Sequence, residues 1–304
     1  LSGTKTNYIG DLGSVDNYNG RITEVIVYDN DLADLDKLKV NTYLGIKYGI
    51  KLPNNNDNDG TGNEVISGSI REGDYVASDG TKIWDYATQG AAYFNDVAGI
   101  GRDDGSALAQ KQSRSINTDA LMTIGLGSIA TSNGANANVF ATDMSYLVWG
   151  NNNGALAGTG SSAGIASQTG MVDKLQRVWQ MVETGSVGTV QVAIPKASVD
   201  SYLSTYLSYG NLYLRIADNA ALSTNFTDVP LTTATVNGTL SYVADHDFNG
   251  TSFFSIIVKD VVIWTGSEWR GGLSATTAHA PAENTLDSTK AMLVWSGDTA
   301  MIEE

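Results

Sequence analysis

Short runs of β-branched and aromatic residues, separated by clusters of Asn, Asp and Gly, recur along most of the chain. Such punctuation is the pattern of an antiparallel sandwich or barrel. The runs predict strands at Asp74–Ala77, Lys82–Trp84, Ala120–Ile124, Tyr146–Trp149, Leu175–Val182 and Thr189–Ile194. Further strands are expected at Leu212–Ile216, Ser241–Val243, Phe253–Val258 and Val261–Trp264, and an earlier one at Arg21–Tyr28. Two runs alternate clearly, with Val190, Val192 and Ile194 on one face and Leu212, Leu214 and Ile216 on another. Turn signals lie at Asn151–Gly154, Asn237-Gly238 and Asn249-Gly250.

One segment has a different period. Leu32, Leu35 and Leu38 recur at helical spacing, after Asn30 or Asp31 as a cap and with Asp34 and Asp36 near the positive end of the dipole. Lys47 lies towards the other end, and Gly49 and Pro53 are stop signals. The fold class expected is therefore all-β, antiparallel β-sandwich or jelly-roll modules with one short helix near residues 31–48. The Asn/Asp/Gly-rich stretch 53–64 reads as a linker, 65–262 as a sandwich domain, and 263–304, opening on Trp264 and Trp269, as the start of another module.

Composition narrows the function classes. The 304 residues carry 33 acids against 18 bases, a net charge of −15, which disfavours nucleic acid and anionic lipid. There is no cysteine, which excludes disulfides, thiolate metal sites and thiol nucleophiles, and two histidines are too few for a multi-histidine centre. No stretch approaches the roughly 18 apolar residues of a membrane helix. With 17% charged residues, the surface is solvated by Asn, Ser, Thr and Gly, as in exported β proteins. A start at Leu1 with no initiator Met reads as an interior segment of something longer.

Candidate chemistry is sparse. Asn55, Asp57, Asp59 and Glu64 place oxygen ligands around Gly60 and Gly62, a pattern suited to calcium. Ile66 at the twelfth position breaks the EF-hand pattern, and a solvated linker is the competing reading. Asp103-Asp104-Gly105 and Asp245-His246-Asp247 are weaker cation candidates, equally explained as surface turns. Gly125–Ala130 has a GxGxxA spacing, but a dinucleotide site needs a helix after it and a turn sequence follows. The sequence nominates no pair of catalytic carboxylates and contains no GxSxG. Trp84, Trp149 and Trp179 are expected in the core.

Gly20–Tyr28 followed by Leu38–Leu52 resembles the closing strand and helix of laminin-G-like, concanavalin-type jelly rolls in giant surface proteins of the Bacteroidetes. The stretches Asp74–Trp84, Asp96–Asp104, Gln110–Ser115, Leu147–Gly154 and Arg177–Gly188 resemble a β-rich domain that often follows in those proteins. Residues 1–52 would then close a jelly roll. The resemblance implies a non-catalytic module of an extracellular adhesin or gliding-associated protein, exported by the type IX route, with surface glycans or neighbouring modules as partners and filament self-assembly in prospect. A passive spacer and a carbohydrate-binding accessory of a hydrolase are the alternatives. Asp287-Ser288-Thr289 and Asp298-Thr299-Ala300 resemble the O-glycosylation signal of that phylum, which would place glycans on Ser288 and Thr299.

Overall fold

In a computed structural model, residues 20, 22–55, 61–89, 92–158, 171–203, 210–264, 269–271 and 299–302 are described. The chain divides into two compact units, Leu1–Ala33 and Asp34–Glu304. In the first, residues 22–28 are not in a strand among the described residues, and Arg21, where the expected strand begins, lies outside them. β-propensity expresses packing against neighbouring strands more than a preference of the run itself.

The second unit opens with α1 (Asp34–Tyr48), three residues later than the spacing of Leu32 suggests. The hairpins β1 (Val65–Ser67) with β2 (Ile70–Arg71) and β3 (Tyr75–Val76) with β4 (Lys82–Trp84) follow. After the helical turn α2 (Tyr86–Gln89) come β5 (Asn95–Asp103), β6 (Leu108–Gln110), β7 (Gln112–Ser113), β8 (Thr123–Leu126) and β9 (Ser145–Asn151). Next are β10 (Met171–Lys174), β11 (Trp179–Thr184), β12 (Val190–Pro195), α3 (Lys196–Leu203) and β13 (Gly210–Ala217). The remaining strands are β14 (Thr227–Pro230), β15 (Thr232–Val236), β16 (Thr239–His246), β17 (Thr251–Trp264), β18 (Trp269–Gly271) and β19 (Thr299–Ile302).

These strands build an all-β sandwich. The large sheet runs β14-β13-β17-β11-β9-β5-β6, with β10, β18 and β19 also on β17, and the small sheet runs β15-β16-β12-β8-β7. The described pairings are antiparallel except β17 with β19. Between the sheets lies the main core. Val190, Val192 and Ile194 of the small sheet meet Leu212, Leu214, Ile216, Leu147, Trp149, Trp179, Phe254 and Ile256 of the large one. Both alternating faces expected from the sequence point inward there.

The large sheet is covered on its other face as well. Tyr146 and Val148 of β9, one step out of phase with Leu147 and Trp149, pack with Leu38, Ile46, Tyr75, Ile83 and Trp84. Every residue of β9 is consequently buried. The helix is held here by two buried polar contacts: Val76 N–H donates to Thr42 Oγ1 at 2.9 Å, and Leu52 N–H donates to the Tyr75 hydroxyl at 2.9 Å. Gly49, at φ +66°, ends α1, and Ile50 N–H bonds Gly45 C=O at 3.0 Å. A Cβ on Gly49 would sit 2.1 Å from the Arg114 carbonyl, so the closing turn also lets the next loop approach.

Several sequence boundaries move. The helix assigned to the end of a module at residue 52 shares a core with β3, β4 and β9, and the division falls at 33/34. At the ends of the stretch 53–64 Asn63 N–H bonds Asn54 C=O at 2.7 Å, and Leu52 and Ile66 on either side pack in the same core, while residues 56–60 lie outside the described residues. The break expected after residue 262 falls inside the continuous strand β17. The strand expected at Leu175–Val182 starts later, since β11 begins at Trp179 and the preceding β10 has already ended at Lys174. Central strand β5, edge strands β14 and β15, and helix α3 were not anticipated.

Candidate functional site

The second face of the small sheet is only partly open, with Ala193, Ser241 and Val243 buried on it and Thr123, Gln191 and Pro195 half-buried. Alternation places Gln191, Ala193 and Pro195 of β12 outward, opposite the buried Val190, Val192 and Ile194. Register adds Thr123 and Gly125 of β8 beside Ala193 and Gln191, and Val243 and Ser241 of β16 on the other side. This face is divided in two by a loop. Gly125 lies under it, since a Cβ there would meet Ser128 O at 2.6 Å. The loop is fastened by Ile129 N–H to Gln191 Oε1 at 3.2 Å and Ala130 N–H to Gln112 Oε1 at 2.8 Å. Buried Asn136 stiffens it, donating to Leu126 and Ser128 carbonyls and accepting from Asn138.

The other half of the face is an open cleft of about 360 Å³. Its floor is Thr123, Ala193, Pro195 and Ser241. One wall is Gln112, Arg114 and Leu121, and the other is the β15–β16 turn with Val236, Asn237 and Thr239. That turn is a two-residue hairpin with positive φ at both Asn237 (+47°) and Gly238 (+81°), the geometry an Asn-Gly pair favours. Arg114 is exposed and spends Nε on the Ala120 carbonyl at 3.0 Å. Its terminal nitrogens make no hydrogen bond among the described residues, and remain available as donors. The cleft is at the small end of the range for ligand sites, roughly 300–1,000 Å³. Its chemistry is a small-residue floor with hydroxyls, a proline face and one guanidinium.

The buried carboxylates are committed elsewhere. Asp103 accepts from Ser78 N–H (2.9 Å), Ser78 Oγ (2.6 Å), Ser106 N–H (3.2 Å) and the Tyr146 hydroxyl (2.7 Å). Burial pushes its carboxyl upward, but the hydrogen bonds from Ser78, Tyr146 and Ser106 outweigh that and hold it below the ordinary range. Asp74 accepts from Arg71 and Tyr86 amides beside Lys82, yet burial dominates and raises its carboxyl. Asp96, at φ +53° beside an irregularity in the β5–β9 ladder, accepts from Asn117 and Asn151, with Arg177 at 3.8 Å. Arg215, fully buried, forms two parallel bonds to Asp228 at 2.6 and 2.8 Å, with Lys259 at 3.2 Å.

The residues singled out from sequence are not brought into one site. Of the calcium candidates, Asp57 and Asp59 lie outside the described residues. Asn55 is described, and Glu64 lines a second cavity, of about 500 Å³, with Asp34, Lys37, Asn41 and Glu72. Among the described residues, no group of three or more His, Cys, Asp or Glu is arranged to hold a metal ion. Asp103 is a hydrogen-bond hub and Asp104 an exposed partner of Arg102, while Asp245 accepts from Gln191 at 3.3 Å. Gly125–Ala130 passes from β8 into a turn with no helix to receive a pyrophosphate. Ser288 lies outside the described residues, and Thr299 opens β19 opposite Val261. Trp84, Trp149 and Trp179 are buried, as expected. The cleft residues Arg114, Thr123, Ala193, Pro195 and Ser241 were missed. The alternation of β12 already marked Ala193 and Pro195 as outward-facing, but nothing local showed that a loop would close one half of that face and leave the other open.

Residues 36–250 match the family model DUF8202, a domain of unknown function. The chain belongs to this family. The match begins within α1 and ends at the turn before β17, so it takes in most of the helix and of both cores, while Phe254, Ile256 and Val258 of β17 lie beyond it. No curated protein and no solved structure matches the chain.

Proposed function

We propose that this DUF8202 domain is a non-catalytic binding module of a secreted cell-surface adhesin, and that it contacts extracellular glycan through the small-sheet cleft. The observation carrying this reading is the cleft itself, an open polar floor on a stiff sandwich. The hydroxyl of Thr123 and the guanidinium of Arg114 supply hydrogen-bond groups for sugar hydroxyls or a sugar carboxylate. Pro195 and Ala193 supply an apolar patch for the C–H face of a ring. The engagement of Asp74, Asp96, Asp103 and Asp228 in internal bonds favours binding over hydrolysis as the domain's role. The low fraction of charged residues, 17%, suits an exported location. A shallow cleft of this size binds weakly, and attachment would come from many copies acting together.

The test is a glycan array probed with multivalently displayed protein, with calcium and again with chelator. Binding to a defined glycan class that is lost in Arg114→Ala, at an exposed position, supports the reading. Loss of that binding on chelation, and in an Asp57→Asn/Asp59→Asn variant, would assign calcium to the 54–64 loop. Silence of the folded protein in all conditions would favour a spacer instead.

A further inference from the structure

The small-sheet cleft runs against the charge of the chain as a whole. The protein carries 33 acids against 18 bases, a net charge of −15. Among the described residues lining the cleft there is no Asp or Glu, and the one ionised side chain is Arg114. A cleft so lined is a local positive spot on an acidic molecule.

The guanidinium is also held in place. Its Nε donates to the Ala120 carbonyl at 3.0 Å, which leaves the two terminal nitrogens without a hydrogen bond among the described residues. Gln112 beside it is spent, since its amide both donates to and accepts from Ala130 at 2.8 Å. On the opposite wall the exposed Asn237 amide makes no side-chain hydrogen bond among the described residues, and neither does the Thr123 hydroxyl on the floor. A carboxylate presents two oxygens in one plane and accepts from a guanidinium fork in a short, directional pair. A densely charged chain fits less well, because repulsion from the remaining acids reaches about 8 Å at physiological ionic strength.

We propose, building on the glycan reading, that the cleft selects glycans ending in a single carboxylate sugar, a uronate or a sialate, over neutral glycans and polyanions. The Arg114 fork takes the carboxylate. Thr123 and Asn237 are the groups left for ring hydroxyls, and Pro195 offers an apolar surface to the ring. A cleft of about 360 Å³ is at the small end of ligand sites, which suits one sugar at a chain end rather than a long stretch of polymer.

The test is retention of the multivalently displayed full chain on oligosaccharides with a neutral backbone, ended in glucuronate, galacturonate or sialate. Each is printed as the free acid and as its methyl ester. Chains ended in glucose 6-sulfate and a panel of neutral glycans share the surface, and chelator is present throughout to prevent bridging by cations. At least one free acid is expected to reach half-saturation at a concentration roughly tenfold lower than its ester, the step that a bond to a charged group supplies. Arg114→Gln, with an unchanged thermal midpoint, should bind acid and ester alike. The acid–ester comparison uses the wild type, so it decides the matter even where the variant fails to fold. Equal retention of acid and ester, or a preference for the sulfate, overturns the proposal. A folded Arg114→Gln variant that keeps the preference for the acid overturns it as well, by placing the carboxylate elsewhere. Where neutral glycans are still held, the glycan reading survives that failure; where nothing is held, both fall.

Discussion

Replacing Tyr146 by Phe keeps the ring in its place against Val148 and Trp84 and removes one hydroxyl. That hydroxyl donates 2.7 Å to Asp103, whose carboxylate is 1% exposed. A hydrogen bond to a buried charge is worth about 1.5–3 kcal/mol, and that is the expected loss at pH 7. For a domain of this size class the midpoint should fall by roughly 3–12 °C. Urea unfolding followed by tryptophan fluorescence reads it directly, because Trp84, Trp149 and Trp179 are all buried. The pH dependence has a definite sign. Asp103 titrates below its ordinary value of 3.8 in the folded chain, so its contribution is fully present above that value. It is lost as pH falls through the lower folded value, where the partner of Tyr146 becomes neutral. The penalty of the Tyr146→Phe variant should then shrink to about 0.5–1.5 kcal/mol, the worth of a neutral bond. A penalty under about 0.5 kcal/mol at pH 7, or one that does not diminish in acid, would refute the assignment of Asp103 as an ionised hub.

Other outcomes follow from the same geometry. Asp228→Ala removes the carboxylate paired with the buried Arg215 guanidinium and should cost about 3–5 kcal/mol, while the paired Arg215→Met/Asp228→Leu variant should recover much of it; calorimetry distinguishes the two. Gly49→Ala forces a Cβ onto the Arg114 carbonyl at a positive φ and should cost more than about 1 kcal/mol in denaturant titration, whereas Gly68→Ala, with φ +59° but nothing within 4 Å, should cost no more than about that. Arg114→Ala removes the guanidinium from the cleft wall and should weaken glycan retention with little change in the thermal midpoint, since Arg114 is exposed.

How far the sequence could be read varies from element to element. β12 and β13 announce themselves because their apolar residues alternate and each sheet has one face on the main core. The Asn237-Gly238 turn and the Gly49 stop are equally readable, since each depends on a backbone conformation that few residues accept. β5, though central, reads poorly. Its Gly99 and Gly101 look like breaks in a strand, yet a Cβ at Gly99 would lie 2.7 Å from Ile46 Cδ1 and one at Gly101 2.4 Å from Tyr146. Their smallness answers a helix and a neighbouring strand remote in the chain. The run Ile22–Tyr28 errs in the opposite sense, with strong propensity and no strand among the described residues.

Local chemistry therefore determined the all-β class, the alternating faces, the helix and its stop, and the burial of three tryptophans, because each follows from residues within one turn or strand. Tertiary structure decided where the domain divides, which strands share a sheet, and that Asp103 is a structural hub. It also decided that the open cleft lies on the small sheet, where Arg114, Thr123, Ala193 and Ser241, from three strands and a loop, meet. Those residues carry no shared sequence pattern, since strand register and a covering loop alone place them together.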